Sequence, residues 1–385
     1  MPSGRAYLDH NATSPLRPEA WAAMLAALET LGNPSSVHAE GRAARALLET
    51  ARAKIAAGLG TAPGTLVFTS GATEAANLVL TPALQTAPGA PPFDALLVSA
   101  GEHAAALQGH RFPSGAVETI PLTSAGEMSR SALAEALRRR SGQKIMLALQ
   151  AANNETGVVQ PVREAADMVH AADGVLVSDA TQAIGRVEAD FAATGADALY
   201  FSSHKLGGPM GAGVLAFARD AYHIDQPLLR GGGQESGRRA GTENLAAVVG
   251  FAAAFEAAVA SMEGERERLA ALRDETERAV RRAAPDAVFV GRDAMRLANT
   301  CAFQIPGLAA HTLLMALDLD GVAVSSGSAC SSGKVRESHV LSAMGLEQKT
   351  ALRASLGWSS GPEDVKQFGM VLAKAVGRMR KASNA

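Results

Sequence analysis

One lysine in this chain stands where a parallel sheet would put a working amine. Lys205 follows the apolar run ALYFSS, which reads as a core strand, and the glycines of LGGPMGAG end that strand just after it. Lys205 and its neighbours His204 and Ser202 therefore leave the sheet at a strand exit, the edge where α/β sheets gather ligand sites. Asp179 ends GVLVSDA in the same way, with Gln182 following in ATQAIG. Glu102-His103 follows ALLVSA, and Asn153-Asn154-Glu155 follows KIMLALQA. Ser70-Gly71-Ala72-Thr73-Glu74 comes after TLVFTS and opens a helix, an arrangement that turns unpaired backbone N–H groups, a threonine hydroxyl and a helix dipole toward an anion. The ordinary alternative there is a helix N-cap made by Ser70 or Thr73.

Together these residues define a chemistry. An acid to keep a pyridinium nitrogen protonated, an amide to donate to a phenolate oxygen, an amine for a Schiff base and an anion cup are the parts that pyridoxal 5'-phosphate needs. Arg353, in ALRASL, offers a guanidinium fork for a substrate carboxylate, although an isolated arginine also suits a surface ion pair. Cys330 sits in VSSGSACSSGKVRESHVL among small residues, with Lys334 and Arg336 close by to favour a thiolate; Cys301, in the apolar NTCAFQIP, reads as core filling. Two patterns are decoys. Ser202-x-x-Lys205 lacks the Ser-Asp-Asn and Lys-Thr-Gly partners of penicillin-recognising enzymes, and Gly211-x-Gly213 lacks the third glycine and downstream acid of a dinucleotide site.

The elements that position these residues follow from the rest of the chain. With 385 residues, it fits two domains with ample core. Seven strand-like runs (TLVFTS, ALLVSA, AVETIPL, KIMLALQA, GVLVSDA, ALYFSS and AGVLAFA) alternate with helices and predict an α/β fold with a mostly parallel seven-stranded sheet. A helical stretch from about Glu243 to Ala284 then leads to a smaller α+β unit. The expected division is a large domain over 15–255 and a small one made of 1–14 and 256–385, which carries the cysteine loop. A net charge of -2 and 4% aromatic residues exclude a nucleic-acid face, and two cysteines without Cys-x-x-Cys spacing suggest neither disulfide framework nor metal site. No export signal or membrane span is apparent, so a cytoplasmic protein is expected.

YLDHNATSP, GNPSSVHAEGR, FTSGATEAANL, the Glu-His pair, NNETGVVQP, DATQAIG, the Ser-x-His-Lys turn, GGGQESGRRAGTEN and SSGSAC occur in the order of the signature segments of the cysteine desulfurases of pyridoxal-phosphate fold type I. The chain resembles that family, especially its nitrogen-fixation type, over nearly its whole length. The resemblance implies Lys205 as the Schiff-base lysine, Asp179 as partner of the pyridinium, Gln182 and Asn154 at the ring oxygen and His103 stacked on the ring as acid and base. It implies Ala72, Thr73, Ser202 and His204 at the phosphate, joined by Thr242 from the other subunit of a homodimer. Asn154 and Arg353 would bind L-cysteine, and Cys330 would take its sulfur as a persulfide and pass it to an acceptor protein, an iron–sulfur scaffold or another thiolation carrier. The family often has a second arginine and a larger residue where this chain reads Arg353-Ala354-Ser355-Leu356-Gly357-Trp358, and longer relatives continue past the position of Ala385 into a scaffold-docking tail. Other readings are a selenocysteine lyase, an aminotransferase, or a catalytically silent binding module.

Overall fold

Seven of the apolar runs become one sheet. The computed structural model describes residues 4–326 and 337–383. In it, β1 (Leu66–Thr69), β2 (Ala95–Ser99), β3 (Val117–Ile120), β4 (Ile145–Ala148), β5 (Val175–Asp179), β6 (Ala198–Ser202) and β7 (Gly213–Phe217) lie in the order β3-β2-β4-β5-β6-β7-β1. All neighbours are parallel except β7, which runs antiparallel to both β6 and β1. Every residue of these strands is buried except on the edge strand β3. That is why they read as unbroken apolar runs, the pattern of strands covered on both faces.

Successive side chains then feed two cores. Phe68, Leu199 and Phe201 face one, together with Ile55 and Leu59 of α2 (Ala39–Leu59, which follows α1, Pro18–Leu28). Val67, Tyr200 and Leu215 face the other, with Ala76 and Val79 of α3 (Ala72–Val79).

The expected helical stretch of 243–284 is two helices. α4 (Leu245–Ala260) and α5 (Met262–Ala283) meet at Ser261 with a bend of 73°. The apolar α4 buries Phe251 and Phe255 against the seven-stranded sheet, whereas the charged α5 buries Leu269, Leu272 and Val280 in a different core. A straight rod could not serve both surfaces. That second core is built on an antiparallel sheet, β8-β9-β11-β10, from β8 (Val288–Phe289), β9 (Thr300–Gln304), β10 (Ser325–Ser326) and β11 (Leu352–Ser355). α5, α6 (Ala310–Leu319) and α8 (Pro362–Ser383) cover it, with α7 (His339–Ala343) between β10 and β11 in sequence.

Ala6 and Leu8 belong to this second core, and Ala6–Tyr7 pairs in parallel with Val322–Ala323. The run VAVSS thus divides between two pairings, since Ser325–Ser326 joins β11 instead. Among the described residues no single helix is long and apolar enough to cross a membrane.

Candidate active site

A cavity of about 510 Å³ opens where β2, β4, β5 and β6 end. Ala72, Thr73, His103, Asn154, Asp179, Gln182, Ser202, His204, Lys205 and Arg353 all line it. Thr242 is exposed and is not among the lining residues. Cys330 lies outside the described residues. Cys301 is fully buried in the second core, where burial pushes its thiol pKa far up, as expected of a packing cysteine.

The chain past β6 tightens into a 3₁₀ turn, Ser203–Lys205, which delivers Lys205 into the cavity. Its Nζ donates to the carbonyls of Asn11 and Ala12, each at 2.7 Å. Asp179, the last residue of β5, is buried; its Oδ1 accepts from the Thr181 amide at 2.9 Å. Burial pushes its pKa up, against the pull of the Thr181 hydrogen bonds and of His103 and Lys205. Gln182 donates through Nε2 to the Asn11 carbonyl at 3.0 Å and accepts from Arg186 at Oε1.

His103 caps the short helix Ala104–Leu107, its Nδ1 accepting from the Ala105 amide at 3.1 Å. That bond assigns the proton of the neutral ring to Nε2. Burial lowers its pKa, opposed by Asp179, so the neutral ring is favoured.

The anion cup takes shape at the start of α3. Gly71 holds the N-cap position without a side-chain cap, so neither Ser70 nor Thr73 plays that role. The Ala72 amide instead donates to Ser202 Oγ at 2.7 Å. Gly213 is required beside it, because a Cβ there would stand 2.5 Å from the Gly71 Cα. His204 Nδ1 lies 3.1 Å from Thr13 Oγ1, and burial followed by the Lys205 charge lowers its pKa to about 4, so it meets an anion as a neutral donor. Arg353 is no surface arginine: it is 4% exposed, donates through Nη1 to the Asn154 carbonyl at 2.8 Å and pairs through Nη2 with Asp9 at 2.7 Å. Its Nε is buried without a partner among the described residues.

Several residues of the site escaped sequence reasoning. Asn11, Gln150 and His339 line the cavity, and Arg186 supports it from behind Gln182. Glu155 appeared only as a neighbour of Asn154; it accepts from Ser338 Oγ at 2.5 Å and anchors the start of α7. Glu102, given by the sequence only as the neighbour of His103, is 1% exposed, accepts from the Gln150 amide at Oε1 and leaves Oε2 without a partner among the described residues. Burial, then the nearby Asp179 charge, raises its pKa to about 8, so it is a neutral acid at neutral pH.

A testable pH dependence follows. An unfolded glutamate titrates near ~4.3, so the stability linked to neutral Glu102 is complete below that pH and is lost as pH rises through about 8. Glu102→Gln, a neutral isostere, should lose less Tm than the wild type between pH 5 and pH 8.5. Equal losses in thermal melts of the two proteins would contradict this.

The donor set fits pyridoxal 5'-phosphate on three observations. A buried carboxylate faces the cavity, where a bound cation would keep it ionised. An uncapped helix start opens on the same space. A lysine that donates to two backbone carbonyls reaches between them.

The sheet order, with a single antiparallel strand, and a lysine at a strand exit define a fold type I enzyme of the class-V aminotransferase kind. Residues 6–368 match the Aminotransferase class-V family. The IscS-like cysteine desulfurase of Mycobacterium tuberculosis is 39% identical over 387 residues, covering 98% of this chain and 98% of that one. A cysteine desulfurase of a Frankia species is 40% identical over 393 residues, covering 98% and 92%. Among solved structures, a NifS-like protein from Rickettsia africae superposes with a TM-score of 0.86 at 30% identity, over 96% of this chain and 99% of the other. The chain belongs to the class-V aminotransferase family and, within it, to the cysteine desulfurases.

Proposed function

We propose that this protein is a pyridoxal 5'-phosphate-dependent cysteine desulfurase, which converts L-cysteine and a thiol into L-alanine and a persulfide. One observation chiefly supports the reading: Lys205, Asp179, His103 and Arg353, from four separate parts of the chain, line a single cavity beside an uncapped helix start. The desulfurase relatives agree with it over nearly the full chain.

When bound, the cofactor supplies a protonated ring that takes up the electrons of a broken Cα–H bond. Lys205 would hold it covalently, Asp179 at the ring nitrogen, Gln182 and Asn154 at the ring oxygen. Ala72, Thr73, Ser202 and His204 would hold the phosphate. The remaining work falls to the chain itself. Arg353, braced by Asp9 and the Asn154 carbonyl, lines the cavity as the cation that would orient a carboxylate. His103 presents a protonated Nε2, and Lys205, once its amine is released, would take the proton from the substrate Cα and return one there in the product. Cys330 is the proposed nucleophile that accepts sulfur and hands it to an acceptor thiol. The decisive assay quantifies alanine and sulfide from cysteine, and no alanine would refute the proposal.

Two features of organisation belong to the same proposal. The separate cores support the expected division into a large domain near 15–255 and a small one of 1–14 with 256–385, with the boundary moved to Ser261, where α4 and α5 diverge. The exposed Thr242 supports a homodimer in which this residue serves the partner's site. Co-expressing a Lys205→Ala chain with a Thr242→Ala chain should restore roughly one good site per mixed dimer if each site draws on both chains. Activity no higher than in the parent mutants would argue for sites contained in one subunit.

A further inference from the structure

Asn11 is 1% exposed, and each of its hydrogen-bonding groups has a partner. Its amide donates to Ser355 Oγ at 3.0 Å. Its carbonyl accepts from Lys205 Nζ at 2.7 Å and from Gln182 Nε2 at 3.0 Å. Oδ1 accepts from Arg186 Nη1 at 3.1 Å and Asn299 Nδ2 at 3.0 Å, while Nδ2 donates to the Asn154 carbonyl at 3.2 Å and Thr300 Oγ1 at 3.0 Å. Four hydrogen bonds are all that a side-chain amide can make. The partners divide between the two sheets: Lys205, Gln182, Arg186 and Asn154 stand at exits of the large one, and Asn299, Thr300 and Ser355 belong to β9 and β11 or their approach.

We propose that Asn11 is a positioning residue: its side chain pins the carbonyls of residues 11 and 12 as the seat that receives the Lys205 amine whenever that amine is not bonded to the cofactor. The proposal rests on the cofactor reading above. A lysine that yields its place to a substrate amine must be received somewhere, and here two acceptors wait at 2.7 Å in a half-buried site. Side chain and backbone of Asn11 are held on both sides, and the peptide that carries the Ala12 carbonyl is held in turn by the Thr13 amide, which donates to the Asp9 carbonyl at 3.3 Å. Arg186 completes the device. It bonds Asn11 Oδ1, Gln182 and, through Nη2 at 3.2 Å, the carbonyl of Lys205 itself, so one guanidinium sets the spacing between the lysine's backbone and its seat. The Asn154 carbonyl, shared by Asn11 and Arg353, keeps the seat in register with the carboxylate site.

The test is a titration of the holoenzyme with methylamine, followed by its visible absorption. Methylamine displaces the lysine but has no carboxylate, so Arg353 does not contribute. Asn11→Ala should bind methylamine about tenfold more weakly than wild type, the factor one lost hydrogen bond is worth. Asn299→Ala removes a partner of Asn11 on the far side; it should lower Tm yet titrate like wild type. Asn11→Asp keeps the acceptor for Arg186 and Asn299 and loses both donated bonds, so it should shift in the same direction by less, and it carries the test if Asn11→Ala does not fold. An unchanged methylamine affinity in the Asn11 variants, or an equal shift in Asn299→Ala, overturns the proposal in favour of a merely structural residue. Absence of a visible band in the wild type would overturn the cofactor reading and this inference with it, an outcome distinct from a band that titrates identically in all variants.

Discussion

Lys205→Ala is expected to abolish turnover and to leave the protein without a covalently held cofactor. Borohydride treatment followed by peptide mapping should fix the cofactor to Lys205 in the wild type and to nothing in the variant. No other lysine is among the described residues that line the cavity, so none of those residues supplies a second amine. Activity should fall by at least ~10³-fold, because the residue would both hold the cofactor and move a proton, and proton transfer alone contributes ~10²–10⁴. If the variant still carries cofactor on a lysine, the central assignment is wrong. Exogenous methylamine should restore some activity to the variant if the missing group is an amine, and none if the damage is to packing.

The second large effect is expected at Cys330. Cys330→Ser keeps the size of the residue and removes the nucleophile, so the variant should still change colour when cysteine is added but release almost no sulfide and carry no persulfide label. A thiol of ordinary pKa near ~8.5 is only a few per cent thiolate at neutral pH, and activity should therefore rise with pH unless Lys334 and Arg336 favour the thiolate. Cys301→Ser is the control. Its thiol is enclosed in the second core and pushed far from ionisation by burial, so its replacement should leave desulfuration close to the wild-type rate. Alanine produced by Cys330→Ser at the wild-type rate would end the persulfide mechanism and favour a lyase that eliminates sulfur or selenium without a protein thiol.

Much of this molecule is legible in its sequence for one physical reason. Strands covered on both faces must be apolar throughout, and the glycines and polar residues at their ends then mark the exits where Lys205, Asp179 and His103 stand. What was not legible depends on distance along the chain. DHNATSP announces only a turn, yet Asn11 in it bonds Lys205 across 194 positions and Ser355 across 344. Arg353 looks like any isolated arginine until Asp9, also 344 positions away, is found against it. His339 carries no local signal at all; its ring is held 2.9 Å from the Glu102 carbonyl, and Ser338 beside it is held by Glu155 across 183 positions. The break at Ser261 was hidden for a different reason. Both α4 and α5 satisfy helical periodicity, and only the two separate cores they serve require a bend.

The pairing of Ala6–Tyr7 with Val322–Ala323, and of Asn11 with Thr300 and Ser355, makes residues 6–11 wait for residues 300–355 during synthesis. At ~5–20 residues per second, a ribosome needs tens of seconds to travel from Asn11 to Ser355. The seven-stranded sheet can assemble in that interval, but the seat beneath Lys205 cannot. A nascent chain therefore carries an unfinished pocket until Ser355 has been made, and closing so long a loop should be the slow step in maturation. Pulse-labelled chains should become protease-resistant over the large sheet well before they can capture the cofactor.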